Sequence, residues 1–166
     1  MPLRVSLSNR QRHLPIARAR LLSFLREAVA AVSDRQNLSQ DEQPAVGDRR
    51  YSSPLRELSV ALVDDAAIAA INQQFLHHAG PTDVISFDLG DGLGEIIVSA
   101  ERAVIIARRL RRPPAAELAL YLVHGLLHLA GCDDLTPAQR RAMRAAERRC
   151  LRQLSEGISH LSVTRQ

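Results

Sequence analysis

His124-Gly125-Leu126-Leu127-His128-Leu129-Ala130-Gly131-Cys132-Asp133-Asp134 sets two histidines four residues apart. On a helix that spacing puts both rings on one face, about one turn apart, able to converge on a single point. Apart from the histidines, Glu117 to Leu129 is almost wholly apolar, as expected of a buried helix. Gly131 supplies the left-handed residue that ends such a helix, and the turn can bring Asp133 or Asp134 back to the imidazoles. Thr136-Pro137-Ala138-Gln139 then reads as an N-cap, a proline at the first helical position and a capping-box glutamine. Two histidines and one carboxylate with an open fourth position suit a catalytic zinc. The plainer reading of the pair alone is a hydrogen-bonded core pair. A zinc-protease helix carries Glu directly after its first histidine as general base; here that position is Gly125, which argues against peptide hydrolysis by that route.

Working outward, Leu3–Leu7 reads as a strand, and Pro15–Val32 as a helix with an apolar stripe through Ile16, Leu21, Leu22, Leu25, Val29 and Val32. Ser33–Pro54 is polar and aperiodic, expected to be a flexible insertion at about 33–55 within one domain spanning 1–166. Leu58–Val63 is a strand, and Asp64-Asp65 can cap a helix from Ala66 to about Phe75. Val84–Leu89 and Glu95–Ser99 are strands joined by the hairpin signal Gly90-Asp91-Gly92. Ala100–Arg112 is a helix broken by Pro113-Pro114, which open the histidine helix; Pro137 to about Leu154 is the last helix, and the tail beyond it shows no strong pattern. The fold class is therefore α+β: a small four-stranded mixed sheet with helices packed over it, and the zinc site on a buried helix and the turn that follows.

The 166 residues are enough to bury a proper core, and the net charge is +4, with no lysine. Glu57–Ala100 holds seven acids and no arginine, whereas Glu101 to the end holds twelve arginines against six acids. Such polarisation can present a basic face to phosphates. The clusters are Arg108, Arg109, Arg111 and Arg112, and Arg141, Arg144 and Arg148 with Arg152. Either cluster alone reads as a solvated face or a helix end favoured by the macrodipole; together they favour RNA. With two Tyr, three Phe and no Trp, base-stacking platforms are not expected. Two cysteines make no disulfide framework; Cys132, beside the histidines, reads as buried filler or as a soft alternative ligand. There is no long apolar span and no apolar segment at the N-terminus, so a cytoplasmic protein without a membrane partner is expected.

Three segments resemble the YbeY family of bacterial endoribonucleases. The first is HGLLHLAGCDD at His124–Asp134, similar to the family's H-G-x-L-H-L-x-G-Y-D-H. The others are Pro81-Thr82-Asp83-Val84-Ile85-Ser86-Phe87, similar to P-T-D-V-L-S-F, and Gly94–Ser99, similar to G-D-I-x-I-S. The resemblance covers roughly Glu57–Leu151 and implies one zinc per chain, held by three side chains. Asp134 stands where the family has its third ligand, a histidine, giving a His124–His128–Asp134 set. A carboxylate is an accepted zinc ligand, although its charge makes a bound water less acidic. The family's Arg after N-x-x-Y, implicated in RNA cleavage, is replaced by Leu76 after Asn72-Gln73-Gln74-Phe75, with His77 and His78 alongside.

The resemblance implies a zinc-dependent, single-strand-specific endoribonuclease acting in 16S rRNA 3′-end maturation and ribosome quality control. Its partners would be ribosomal RNA, the small subunit and ribosome-assembly proteins. His124, His128 and Asp134 are the expected catalytic and metal residues, and Asp133 a partner that orients a ligand or the turn. Thr82, Asp83 and Ser86 are expected to shape the cleft. The alternative is a non-catalytic, zinc-stabilised assembly or RNA-binding factor, which Leu76 favours. A metalloprotease ranks last.

Overall fold

The computed structural model describes residues 2–34 and 54–161, so the insertion expected at about 33–55 lies almost wholly outside the described residues. Among the described residues there are four strands: β1 (Arg4–Asn9), β2 (Glu57–Val63), β3 (Val84–Gly90) and β4 (Leu93–Ser99). The helices are α1 (Arg18–Ser33), α2 (Asp65–Ile71), α3 (Ala100–Leu110), α4 (Pro114–Leu129), α5 (Pro137–Gln153) and α6 (Ser155–Ser159). The sheet order is β1-β2-β4-β3; β1, β2 and β4 run parallel and β3 antiparallel to β4. The β3–β4 hairpin turns through Asp91 (φ 52°) and Gly92 (φ 75°), both left-handed, as a tight hairpin matched to strand twist requires.

The larger core lies on one face of the sheet. There Leu58, Val60 and Leu62 of β2 and Ile96 and Val98 of β4 meet Phe24 and Leu25 of α1 and Leu118, Leu122 and Leu126 of α4. A smaller cluster on the opposite face joins Val63, Ile85 and Ile97 to Ile68 of α2. The middle of β4 is thus buried on both sides, which is why Ile96-Ile97-Val98 runs apolar without alternation. On α4 the burial extends around most of the helix, with both histidines only partly covered. Gly125 is the point of closest approach: a Cβ there would lie 2.9 Å from Ser86 Oγ and 3.2 Å from both Ile96 Cδ1 and Val84 Cγ2. The residue after the first histidine therefore faces the sheet, and no side chain on it would reach the histidine face.

Three local features depart from the expected elements. The helix after Asp64 changes from α to a π-helical turn at Asn72–Leu76, ending on His77 in the left-handed region (φ 56°). α3 stops at Leu110, with Arg111 left-handed (φ 53°) ahead of the prolines. The tail is not patternless: α6 follows α5, and Leu161 beyond it is fully buried.

Candidate metal centre

Both histidines project from the last two turns of α4. The helix then closes on Gly131 (φ 88°), with Gly131 N–H donating to the His128 carbonyl and Cys132 N–H to the Leu127 carbonyl, each at 2.9 Å. This paired closure uses up terminal carbonyls of α4 and reverses the chain, so that Asp134 comes back over the histidines. The turn is held from the far side as well. Arg140 donates through Nη1 to the carbonyls of Asp134 (3.2 Å) and Leu135 (2.8 Å). Thr136 and Gln139 form the expected capping box at the start of α5.

His124 Nε2 and His128 Nε2 lie 3.0 Å apart, and Asp134 offers Oδ2 at 3.9 Å from the first and Oδ1 at 3.8 Å from the second. Tetrahedral coordination at the usual zinc–nitrogen and zinc–oxygen lengths separates ligand atoms by about 3.3 Å, within this spread. Among the described residues His124, His128 and Asp134 form the group that could hold a metal ion. The donor set fits on chemical grounds too. Glu147 Oε1 lies 2.7 Å from His124 Nδ1, so Nδ1 carries the proton and Nε2 presents its lone pair to the centre. Burial alone would lower the His124 pKa, but the hydrogen bond and charge of Glu147, with the charges of Asp83 and Asp134, raise it overall. His128 is pushed down, first by burial and then by His124, against Asp134, Asp133 and a hydrogen bond to the Cys132 backbone.

Glu147 is one of the site's residues that the sequence does not single out. Its one signal was being the only acid on an arginine-rich α5. Asp133, expected in the cleft or as a partner orienting a ligand or the turn, lines the cleft beside His128 and makes no described side-chain hydrogen bond; its effect on His128 is through charge.

The centre lies between two clefts that share His124. One, of about 390 Å³, opens towards β3 and is lined by Ser86, His128, Asp133 and Leu76. The other, of about 420 Å³, has α4 as its floor and α3 and α5 as walls, and includes Asp83, Asp134, Arg140 and Arg144. Asp83 is fixed by its own backbone: its Oδ1 accepts from Val84 N–H (2.8 Å) and from Thr82 Oγ1 (3.1 Å), and its carbonyl from Ser99 N–H (2.9 Å). Ser86 Oγ donates to the Gly125 carbonyl at 3.2 Å, tying β3 to α4. Of the arginines singled out in the sequence, Arg144 reaches a cleft, while Arg108, Arg109, Arg111, Arg112, Arg141 and Arg148 are exposed. Arg140 reaches the site without having been singled out. His77 and His78 are exposed, and Cys132 is buried.

A small mixed sheet carrying a two-histidine, one-carboxylate centre at the end of a buried helix defines a class of candidate metal-dependent enzymes. The family model for Endoribonuclease YbeY matches residues 6–155. The chain belongs to the YbeY family. It is 47% identical over 96 residues to an Endoribonuclease YbeY of Rhodopirellula baltica, covering 54% of this chain and 50% of that one. A relative described in the same words from Anaeromyxobacter sp. is 42% identical over 108 residues (61% and 55% covered). One from Bacteroides fragilis is 33% identical over 104 residues (61% and 75%). The matches thus span about half the length of the first two relatives. The fold is similar to a solution structure of a Thermotoga maritima protein, with TM-score 0.56, 23% identity, and 98% and 99% of the two chains covered.

Proposed function

We propose that this protein is a zinc-dependent endoribonuclease that hydrolyses phosphodiester bonds in single-stranded RNA. Processing of ribosomal RNA, including the 3′ end of 16S rRNA, would be its work, and the small subunit its partner. The observation that carries the reading is the convergence of His124, His128 and Asp134 on one point between two open clefts, with Glu147 fixing the tautomer of His124. A metal held by these three residues would supply Lewis-acid activation of a water and of a phosphoryl oxygen. The chain's own residues do the rest. Glu147 keeps the His124 ring oriented and its proton on Nδ1. Arg140 fixes the turn that carries Asp134, and Arg144 beside it in the cleft holds a flanking phosphate. The two imidazoles favour zinc, and the harder carboxylate of Asp134 lets manganese, iron and nickel compete.

A second reading has one specific observation in its favour. Leu76, where the family has an arginine, is 43% exposed and lines the β3-side cleft, so that side lacks the family's cation. A non-catalytic, zinc-stabilised assembly factor would have that property. The guanidinium of Arg144 on the opposite side of the centre favours the enzyme. The two are separated by incubating metal-stripped protein with a single-stranded RNA, then restoring zinc: cutting that returns with zinc supports the nuclease, and no cutting in either state supports the assembly factor. No described helix is long and apolar enough to cross a membrane.

A further inference from the structure

The cleft between α3 and α5 extends from His124 towards the start of α4, beyond anything the metal centre requires. Its floor carries Glu117 and Tyr121, one helical turn apart and only 4% and 5% exposed. Glu117 Oε2 has no hydrogen-bond partner; the nearest cation, Arg112 Nη1, is 3.8 Å away on a side chain that is 56% exposed. The Tyr121 hydroxyl interacts with Glu117 as a donor, and burial first, then the charge of Glu117, pushes its pKa far above the usual phenol range. The phenol therefore stays protonated beside Glu117. A buried carboxylate oxygen with no donor is costly in a folded protein unless something supplies one. The walls beside it are apolar (Ile106, Leu120 and Met143), and the guanidinium groups of Arg140 and Arg144 stand on the α5 side.

With Ile106, Leu120 and Met143 as apolar walls, a buried acceptor without a donor at its floor and two arginines on the α5 side, the cleft matches a nucleotide: ring between the walls, amino edge on the carboxylate, phosphate at the arginines. We propose that this cleft is a nucleobase subsite, taking the base next to the phosphate held at the metal centre and selecting one with an exocyclic amino group. Adenine, cytosine and guanine each offer such a donor to Glu117 Oε2. Uracil presents carbonyl oxygens on both sides of its single N–H and is repelled by the carboxylate. The subsite deepens the RNA reading above and rests on it for its natural ligand.

Two measurements keep the subsite and the nuclease reading apart. Calorimetric titration of metal-free protein with AMP, CMP, GMP and UMP tests the subsite without any cleavage. The three amino-bearing nucleotides should bind about tenfold tighter than UMP, and in Glu117→Gln, whose amide also donates, the preference should fall to about twofold or reverse. Tyr121→Phe, which keeps the ring but removes the hydroxyl beside Glu117, should lower the preference in a protein that melts normally, and decides the matter if Glu117→Gln does not fold. Equal affinity for all four nucleotides, or a preference that survives in the folded variants, overturns the subsite. Cleavage of RNAs differing only at the nucleotide beside the cut is the second measurement. Cutting without base preference removes the subsite and leaves the nuclease; nucleotide preference without cutting supports the subsite and removes the nuclease.

Discussion

His124 is held on Nδ1 by Glu147 and faces His128 across 3.0 Å; Glu147 helps to raise the pKa of the first ring, while burial and then His124 lower that of the second. In the metal-free protein the raised His124 contributes stability below the unfolded value of 6.5, lost as pH rises through its higher folded value. The depressed His128 contributes stability above 6.5, lost as pH falls through its lower folded value. Metal capture requires both rings neutral, so affinity should climb with pH above 6.5 as His124 gives up its proton. Glu147→Gln should move that climb to lower pH and, by releasing the ring, weaken zinc binding by about 10–100-fold. Competition titration against a chelator across the pH range measures both effects. An unchanged affinity would show that Glu147 does not orient the ligand.

The α4 helix places its histidines only because Gly125 lets it lie against β3 and β4, with Ser86 Oγ 2.9 Å from where a Cβ would be. Gly125→Glu, which would reproduce the sequence pattern of a zinc protease, should drive a charged side chain into that contact and destabilise the protein by about 3 kcal/mol or more. Thermal melting would show it, and a variant with unchanged Tm would mean that α4 packs otherwise. Thr136→Ala, removing one half of the capping box at the start of α5, should cost about 1 kcal/mol in chemical denaturation.

The same elements show what the sequence could carry. The helix, its glycine stop and the capping box are local patterns, legible at short range, and so was the hairpin at Gly90-Asp91-Gly92. Glu147 was not, because its partner lies 23 residues away on another helix and no periodicity links them. The π-helical turn at Asn72–Leu76 was equally hidden, since one extra residue in a turn barely disturbs the helical pattern of a short segment. α6 is five residues long, too short to show a period of its own.

Across the whole molecule, the acid-rich stretch Glu57–Ala100 supplies β3, β4 and α2, and the arginine-rich stretch supplies α3 and α5, the walls of the larger cleft. RNA affinity should therefore fall steeply with added salt. Arg144→Gln should flatten the log–log slope by about 0.7, the value for one phosphate contact on a single strand; a slope untouched by this change would place the strand elsewhere. The most direct measurement pairs zinc content by mass spectrometry with cleavage of a single-stranded RNA, for the unaltered protein and for Asp134→Ala. One zinc per chain with zinc-dependent cutting, both lost in Asp134→Ala, is the expected result. Full zinc content and undiminished cutting in that variant would contradict a catalytic metal centre built on His124, His128 and Asp134.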